Sequence, residues 1–78
     1  MNWIAYPGTK EFAEYHESDA GRVESMGPLW WDAWVYIPSA LRAGHATKHK
    51  VGECYRSASS AKAAVIRQYR KYAPLGAA

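Results

Sequence analysis

Residues 30–37, with the sequence Trp-Trp-Asp-Ala-Trp-Val-Tyr-Ile, constrain the fold of this 78-residue chain more than any other segment. Six of the eight are aromatic or β-branched, which predicts a β-strand. Successive side chains of a strand point to opposite faces of its sheet. One face carries an ordinary apolar core set, Trp31, Ala33, Val35 and Ile37. The other face carries Trp30, Asp32, Trp34 and Tyr36. A chain this small cannot easily cover both faces, so we expect the second to be an exposed aromatic docking surface.

Length and composition predict a single globular domain over residues 1–78. Hydrophobic residues make up 49% of the chain, too many for a disordered protein. The core of a domain this small supplies about 3–5 kcal/mol. No apolar run approaches the roughly 20 residues of a membrane span, so no membrane partner is expected. The N-terminus lacks the features of a signal peptide, and the single cysteine, Cys54, fits a reducing compartment, so we expect a cytoplasmic protein.

The formal net charge of +3 is modest, but charge is distributed unevenly along the chain. Residues 1–37 hold two basic and six acidic side chains, whereas residues 38–78 hold eight basic and one acidic. Two interpretations stay open. In one, the halves fold together and their charges pair across the surface, each pair contributing little to stability. In the other, the basic half forms a surface that steers the protein toward an acidic partner.

The N-terminal half contains weaker signals for secondary structure. Asn2–Tyr6 is expected to form a short strand that ends at the turn pair Pro7-Gly8. In Thr9–Ser18, apolar residues at helical spacing after a capping threonine favour a short helix, although the same residues also alternate loosely as in a strand. A turn follows, and Arg22–Met26 is expected to be a strand.

The C-terminal half predicts a loop, a strand and a helix in that order. Pro38–Lys48 is the longest irregular stretch, and Lys50–Arg56 should pair antiparallel with the aromatic strand. Ser57 or Ser59 can cap a helix that Pro74 and Gly76 end. The largely apolar stripe of this helix comprises Ala61, Ala64, Val65, Gln68, Tyr69 and Tyr72. We expect the stripe to pack on the core face of the aromatic strand. The predicted fold is therefore α+β: a small antiparallel sheet of three to four strands, one C-terminal amphipathic helix on one face, and a short N-terminal helix.

The residues that carry reactive side chains do not form a recognisable catalytic or metal site. The six glycines are scattered and match no phosphate-binding loop. The spacing of three residues, His45, His49 and Cys54, is compatible with metal binding, but they lie beside lysines that repel cations. A zinc site would also need a fourth ligand, for which His16 is the only other candidate. Cys54 lacks a third group to orient a neighbouring histidine, and a lone strand cysteine is commonly a small buried hydrophobe. We therefore expect a protein that is not an enzyme and that uses no metal and no cofactor.

Residues 31–72 resemble the AP2 and phage-integrase arm-binding domains in the order strand, basic loop, strand, helix. The resemblance covers about half of the chain and rests on Trp31, Ala33, Val35, Gly52, Tyr55, Ser57, Ala61 and Ala64. It requires a one-residue insertion between Gly52 and Tyr55. It implies a three-stranded sheet backed by one helix, with the sheet inserted into the major groove of DNA.

The resemblance also implies arginines and tryptophans on the exposed sheet face, where family members reach bases and phosphates. The exposed side of the aromatic strand has no arginine in this chain, and Asp32 would face phosphates, which is unfavourable. Lys48, Lys50 and Arg56 on the neighbouring strand remain able to contact the backbone. The expected fold therefore transfers more readily than the DNA-binding function.

These features favour a non-catalytic binding protein. In size and character the chain is similar to small phage accessory proteins, and the first hypothesis is an anti-CRISPR-like inhibitor that docks by steric block on a host complex that handles nucleic acid. The alternatives are a DNA- or RNA-binding module that uses the sheet and basic loop, and a homodimeric structural subunit. The residues expected to contact the partner are Trp30, Asp32, Trp34, Tyr36, Arg42, Lys48, Lys50, Arg56, Arg67, Arg70 and Lys71.

Overall fold

The chain folds into an antiparallel sheet with a helix on one side of it. The computed structural model describes the backbone of residues 2–38 and 46–77 and the side chains of residues 2–37 and 46–72. The elements are β1 (Ile4–Tyr6), β2 (Tyr15–Glu17), β3 (Gly21–Gly27), β4 (Trp30–Pro38), β5 (Ala46–Tyr55) and α1 (Ala58–Ala77). The strands lie side by side in chain order, and all adjacent pairs are antiparallel. The α+β class is confirmed, and within the described residues the sheet has five strands rather than three to four.

The sheet has more strands than predicted because the N-terminal segment adds strands to it. The predicted short helix over Thr9–Ser18 is wrong. Thr9 Oγ1 accepts a hydrogen bond from Phe12 N at 3.0 Å, as a helix cap would, but the chain then turns instead of continuing as a helix. Tyr15–Glu17 instead forms β2, which pairs with β1 on one side and with β3 on the other. Two partner strands satisfy the backbone of this segment, and that pairing outweighs the weak helical spacing of its apolar residues.

The aromatic strand predicted from the sequence is β4, which pairs antiparallel with β5 as expected. The register shifts twice along this pair, because β5 carries extra residues between Lys50 and Gly52 and between Gly52 and Tyr55. Bulges of this kind are common on edge strands, where they twist the exposed edge. β5 begins at Ala46, so the predicted strand start at Lys50 is wrong. The prediction that the chain stays irregular up to Lys48 is wrong from Ala46 onward for the same reason. The side chains of this part of β5 are exposed, so burial imposes no alternation that the sequence would reveal.

The core lies between the sheet and α1, as the apolar stripe of the helix predicts. Its fully buried members are Ala20, Val23, Ala33, Ala61 and Val65. Larger, partly buried side chains surround them, namely Trp3, Trp31, Val51, Tyr55 and Tyr69. The small residues at the centre let the helix approach the sheet closely, and the aromatic residues close the rim of the interface.

The helix begins at the predicted position and continues further than predicted. Ser57 caps its N-terminus, with Ser57 Oγ accepting a hydrogen bond from Ser60 N at 3.1 Å. The helix runs to Ala77, so the end expected at Pro74 and Gly76 is wrong. A proline removes one N–H donor from the hydrogen-bond ladder, and here that loss does not end the helix. No helix in the described part of the chain is both long enough and apolar enough to cross a membrane.

Candidate docking face on the sheet

The face of the sheet opposite α1, which we call the open face, carries an array of aromatic and charged side chains. Residues paired across antiparallel strands share a face, so the strand register defines its membership. The apolar members are Ile4, Tyr6, Tyr15, Trp30, Trp34 and Tyr36. The charged members are Glu17, Arg22, Glu24, Asp32, Lys48 and Lys50. The N-terminal strands widen this face, and no element among the described residues covers it.

One part of the open face is a row of stacked side chains across β1, β2 and β3. The rings of Tyr6 and Tyr15 stack with centroids 4.6 Å apart. The guanidinium carbon of Arg22 lies 3.8 Å from the centroid of Tyr15, and Arg22 Nη2 is 2.8 Å from Glu24 Oε1. An aromatic pair of this kind stabilises by about 0.5–1.5 kcal/mol beyond its area, and an exposed cation–π contact by about 0.5–1 kcal/mol. These contacts hold the side chains of the row in a fixed arrangement.

Trp34 lies at the centre of the open face beneath two lysines of β5. Lys48 Nζ is 4.5 Å from the centroid of the indole and Lys50 Nζ is 5.8 Å from it. A nucleic-acid base that stacked on Trp34 would first have to displace these ammonium groups. The predicted outward position of Trp34 is therefore correct, and its ring is half-buried and flanked by cations.

Tyr36 connects β4 to β2 across the open face. Its hydroxyl donates a hydrogen bond to Glu17 Oε1 at 2.5 Å. Burial, together with this bond and the negative charge of Glu17, raises the pKa of Tyr36 to about 12. The phenol therefore stays neutral at physiological pH and holds the Glu17 carboxylate in a fixed position.

Asp32 lies on the predicted side of β4, but it is 5% exposed, so its expected availability to a partner is wrong. Asp32 Oδ1 accepts a hydrogen bond from Trp30 Nε1 at 2.9 Å and a longer one from Cys54 N at 3.4 Å. Lys50 Nζ is 3.7 Å from Asp32 Oδ2. These groups enclose the carboxylate, which anchors the bulge of β5 to β4 instead of facing an approaching phosphate.

The bulge also places Cys54 differently from the sequence-based expectation. Cys54 is exposed rather than buried, and its φ of 64° lies in the left-handed region. Beside it, Lys50 Nζ pairs with Glu53 Oε2 at 2.8 Å, and this hydrogen bond raises the pKa of Lys50. The bulge therefore turns the cysteine outward and leaves Lys50 shared between two carboxylates.

A groove of about 560 Å³ opens on the open face beside β1 and Tyr36. Ile4 and Tyr6 contribute apolar walls, and Glu17 and Asp19 contribute carboxylates. Such a lining matches a side chain with an aliphatic stem and a positively charged head, because the stem can contact the walls while the head meets the carboxylates.

The structure divides the predicted partner-binding residues between two sides of the molecule. Six of them share the open face: Trp30, Asp32, Trp34, Tyr36, Lys48 and Lys50. Arg67, Arg70 and Lys71 are exposed on α1, which packs on the opposite side of the sheet. Arg56 is exposed between β5 and α1, and Arg42 lies outside the described residues.

Sequence analysis missed half of the open face, namely Ile4, Tyr6, Tyr15, Glu17, Arg22 and Glu24. The signal that indicates part of it is the loose alternation of Ala13 and Tyr15 with Glu14 and His16, which competes with the helical spacing of the same segment. Once that segment is a strand, its pairing with β1 and β3 brings the missed residues beside Trp34 and Tyr36.

Among residues 2–37 and 46–72, no three His, Cys, Asp or Glu side chains are grouped so as to hold a metal ion. No family model, curated protein or solved structure gives a significant match to this chain.

Proposed function

We propose that this chain is a non-catalytic binding protein that docks on a partner protein through its open face. The observation that carries the proposal is an uncovered sheet face with six aromatic or aliphatic side chains and no net formal charge among its described members. Tyrosine, tryptophan and arginine are the residues enriched in the centres of protein interfaces. Such a face fits a protein surface better than it fits a polyanion.

The charges of the open face separate a protein partner from a nucleic acid. Its three cations each lie over an aromatic ring or beside a carboxylate, as with Arg22 and Glu24. Glu17 and Glu24 stand in the path that a phosphate backbone would follow across the strands. Because Arg22 and Lys50 are already paired with carboxylates, they release few counterions from a nucleic acid and give little affinity for it, which leaves Lys48 as the cation of the described open face without a carboxylate partner.

We further propose that the partner is a host complex that handles nucleic acid, on which this chain acts as a steric block. Three features support this proposal: the small size, the docking face, and a separate basic surface on the helix. The groove beside Tyr36, with the Glu17 and Asp19 carboxylates, supports a partner that inserts a lysine or arginine side chain.

The experiment is affinity capture with tagged protein from a lysate of the cells that express it, comparing single alanine variants. Trp34→Ala and Tyr6→Ala each remove an aromatic side chain from the open face. Phe12→Ala is the matched control, because Phe12 is an exposed aromatic in the β1–β2 connection, away from the strands of that face. We expect both open-face variants to lose the captured partner by roughly tenfold or more, as at interface hot spots, and the control to retain it.

Circular dichroism and thermal melts on each variant separate lost binding from lost folding. Tyr6→Ala is the safer variant, since Tyr6 is 39% exposed on an edge strand. Capture of the same proteins by all variants would overturn the proposal. Loss of the partner after nuclease treatment would transfer the function to nucleic-acid binding, and sedimentation as a dimer that Trp34→Ala dissociates would transfer it to self-association.

A further inference from the structure

The outer surface of α1 concentrates positive charge that forms no salt bridge within the described part of the chain. Arg67, Arg70 and Lys71 are all exposed, and their spacings of three and four residues place them on one side of the helix. Residues 54–78 contain no aspartate or glutamate. Among the described residues, none of these three cations forms a salt bridge. We call this surface the basic helix surface.

The basic helix surface differs from the open face in how its cations are held. On the open face Arg22 pairs with Glu24, and Lys50 pairs with Glu53 and Asp32. On the helix, like charges three and four residues apart repel each other by a few tenths of a kcal/mol per pair. That repulsion is relieved when an anion binds, so the surface gains most from a ligand with several negative charges.

We propose that the basic helix surface binds the phosphate backbone of duplex nucleic acid without reading its sequence. The two arginines offer planar guanidinium groups that match phosphate oxygens, and the lysine adds a third point charge. The tyrosines of this half of the helix, Tyr69 and Tyr72, are half-buried, and Tyr69 packs against the core. The exposed helix surface therefore offers charge without aromatic rings on which unpaired bases would stack.

This proposal goes beyond docking through the open face, because it assigns a second surface on the opposite side of the sheet. It also differs from the DNA contact that the arm-binding domains make, which uses the sheet. A phosphate contact on the helix leaves the open face free for its protein partner, and neither interaction requires the other.

The test is fluorescence anisotropy with a labelled duplex DNA of mixed sequence, titrated with the protein over a series of salt concentrations. Three phosphate contacts give a log–log dependence of affinity on salt with a slope of about −2.7. Arg67→Gln and Arg70→Gln should each weaken binding by roughly tenfold at 0.1 M salt and each reduce the slope by about one. Lys10→Gln is the matched control, because it removes one exposed cation from the β1–β2 connection and should leave both quantities unchanged.

Two further variants keep the test independent of the open face. Trp34→Ala and Lys48→Gln should leave the affinity and the salt slope unchanged, whereas the capture experiment depends on Trp34. The proposal is overturned if no binding is seen at the lowest salt, or if Lys10→Gln weakens binding as much as Arg67→Gln. It is also overturned if polyglutamate competes as well as the duplex does at equal charge, since the surface would then select acidic polypeptides equally.

Discussion

At the scale of single residues, Asp32 is a member of the open face that is buried and hydrogen-bonded to its neighbours rather than exposed to solvent. Its carboxylate accepts hydrogen bonds from the Trp30 indole and from the backbone of Cys54 while it is almost completely buried. A buried carboxylate is tolerated only when it is hydrogen-bonded or paired, and both conditions are met here. The open face therefore depends on Asp32 for the position of Trp30 and for the geometry of the bulge.

We expect Asp32→Ala to lower the free energy of unfolding by roughly 2–3 kcal/mol, since two donors lose a charged acceptor. Urea denaturation followed by tryptophan fluorescence measures this loss. Glu53→Ala, which removes an exposed carboxylate from the same bulge, should cost less than about 0.5 kcal/mol. Equal effects of the two substitutions would mean that Asp32 does not anchor the bulge.

Tyr36 makes a prediction about alkaline pH. Its pKa is about 12 in the folded protein, above the value of about 10 for a tyrosine in the unfolded chain. Because the folded state holds this proton more tightly, the stability that Tyr36 contributes is complete below pH 10 and is lost between about pH 10 and pH 12. Denaturant unfolding at a series of alkaline pH values should show a shallower decline for Tyr36→Phe than for the unchanged protein.

Tyr36→Phe has a second consequence at neutral pH. Removing the hydroxyl leaves the half-buried Glu17 carboxylate without this donor, which should lower the free energy of unfolding by about 1 kcal/mol. Tyr69→Phe is a suitable comparison, because Tyr69 lies on the other side of the sheet. If the alkaline decline is the same in Tyr36→Phe as in the unchanged protein, other groups control it.

At the scale of elements, the turn between β3 and β4 contains a conformational mismatch. Gly27 pairs with Trp30, which leaves Pro28 and Leu29 at the centre of the turn. Leu29 has a φ of 57°, in the left-handed region where a side chain costs about 1–2 kcal/mol and glycine does not. Leu29 is also highly exposed, so its side chain gains little from packing.

We expect Leu29→Gly to raise the free energy of unfolding by up to about 1 kcal/mol, the relief of strain being partly offset by the greater flexibility of glycine in the unfolded chain. A thermal melt measures the change. Met26 is an exposed residue of β3 whose φ is not positive, so Met26→Gly relieves no strain. We expect it to lower the free energy of unfolding instead. A decrease in stability with Leu29→Gly would show that its side chain makes a contribution that outweighs the strain.

The elements also differ in how far the sequence alone predicts them. β4 and α1 were identified correctly, because one face of each is buried and the burial leaves a clear periodicity. β2 is only three residues long and forms through pairing with β1 and β3, so the loose alternation of its segment is too weak to decide against a helix. The start of β5 was misplaced because the side chains of its first residues are exposed and show no alternation.

At the scale of the whole molecule, the basic residues of the C-terminal half differ in whether they lie near carboxylates. The lysines of β5 meet the acidic half of the sequence, as when Lys50 approaches Asp32. The arginines of α1 meet no carboxylate among the described residues. Charge pairing therefore describes the sheet side of the molecule, whereas attraction of an acidic partner stays a prediction for the basic helix surface, and this separation is why we propose different partners for the two surfaces.

The open face and the basic helix surface keep their relative positions while α1 packs on the sheet, and Gly21 is packed tightly against both β4 and α1. A Cβ atom at Gly21 would lie 2.1 Å from the backbone oxygen of Trp34 and 2.7 Å from Val65 Cγ1. Backbone atoms of a central strand cannot move aside without disturbing the strand pairing. Overpacking of a core costs about 1–3 kcal/mol and occasionally more, which is most of what a core of this size supplies.

We therefore expect Gly21→Ala to leave the protein largely unfolded, with loss of the cooperative thermal transition. Gly52→Ala is the matched control, since it also adds one methyl group to a strand glycine, but the nearest atom is the hydroxyl of Tyr55 at 2.5 Å. A side-chain end can rotate away where a backbone oxygen cannot, so Gly52→Ala should retain a cooperative transition at a lower temperature. If Gly21→Ala melts as cooperatively as Gly52→Ala, the fold accommodates the added methyl group, and close packing at Gly21 is not what fixes the open face and the basic helix surface relative to each other.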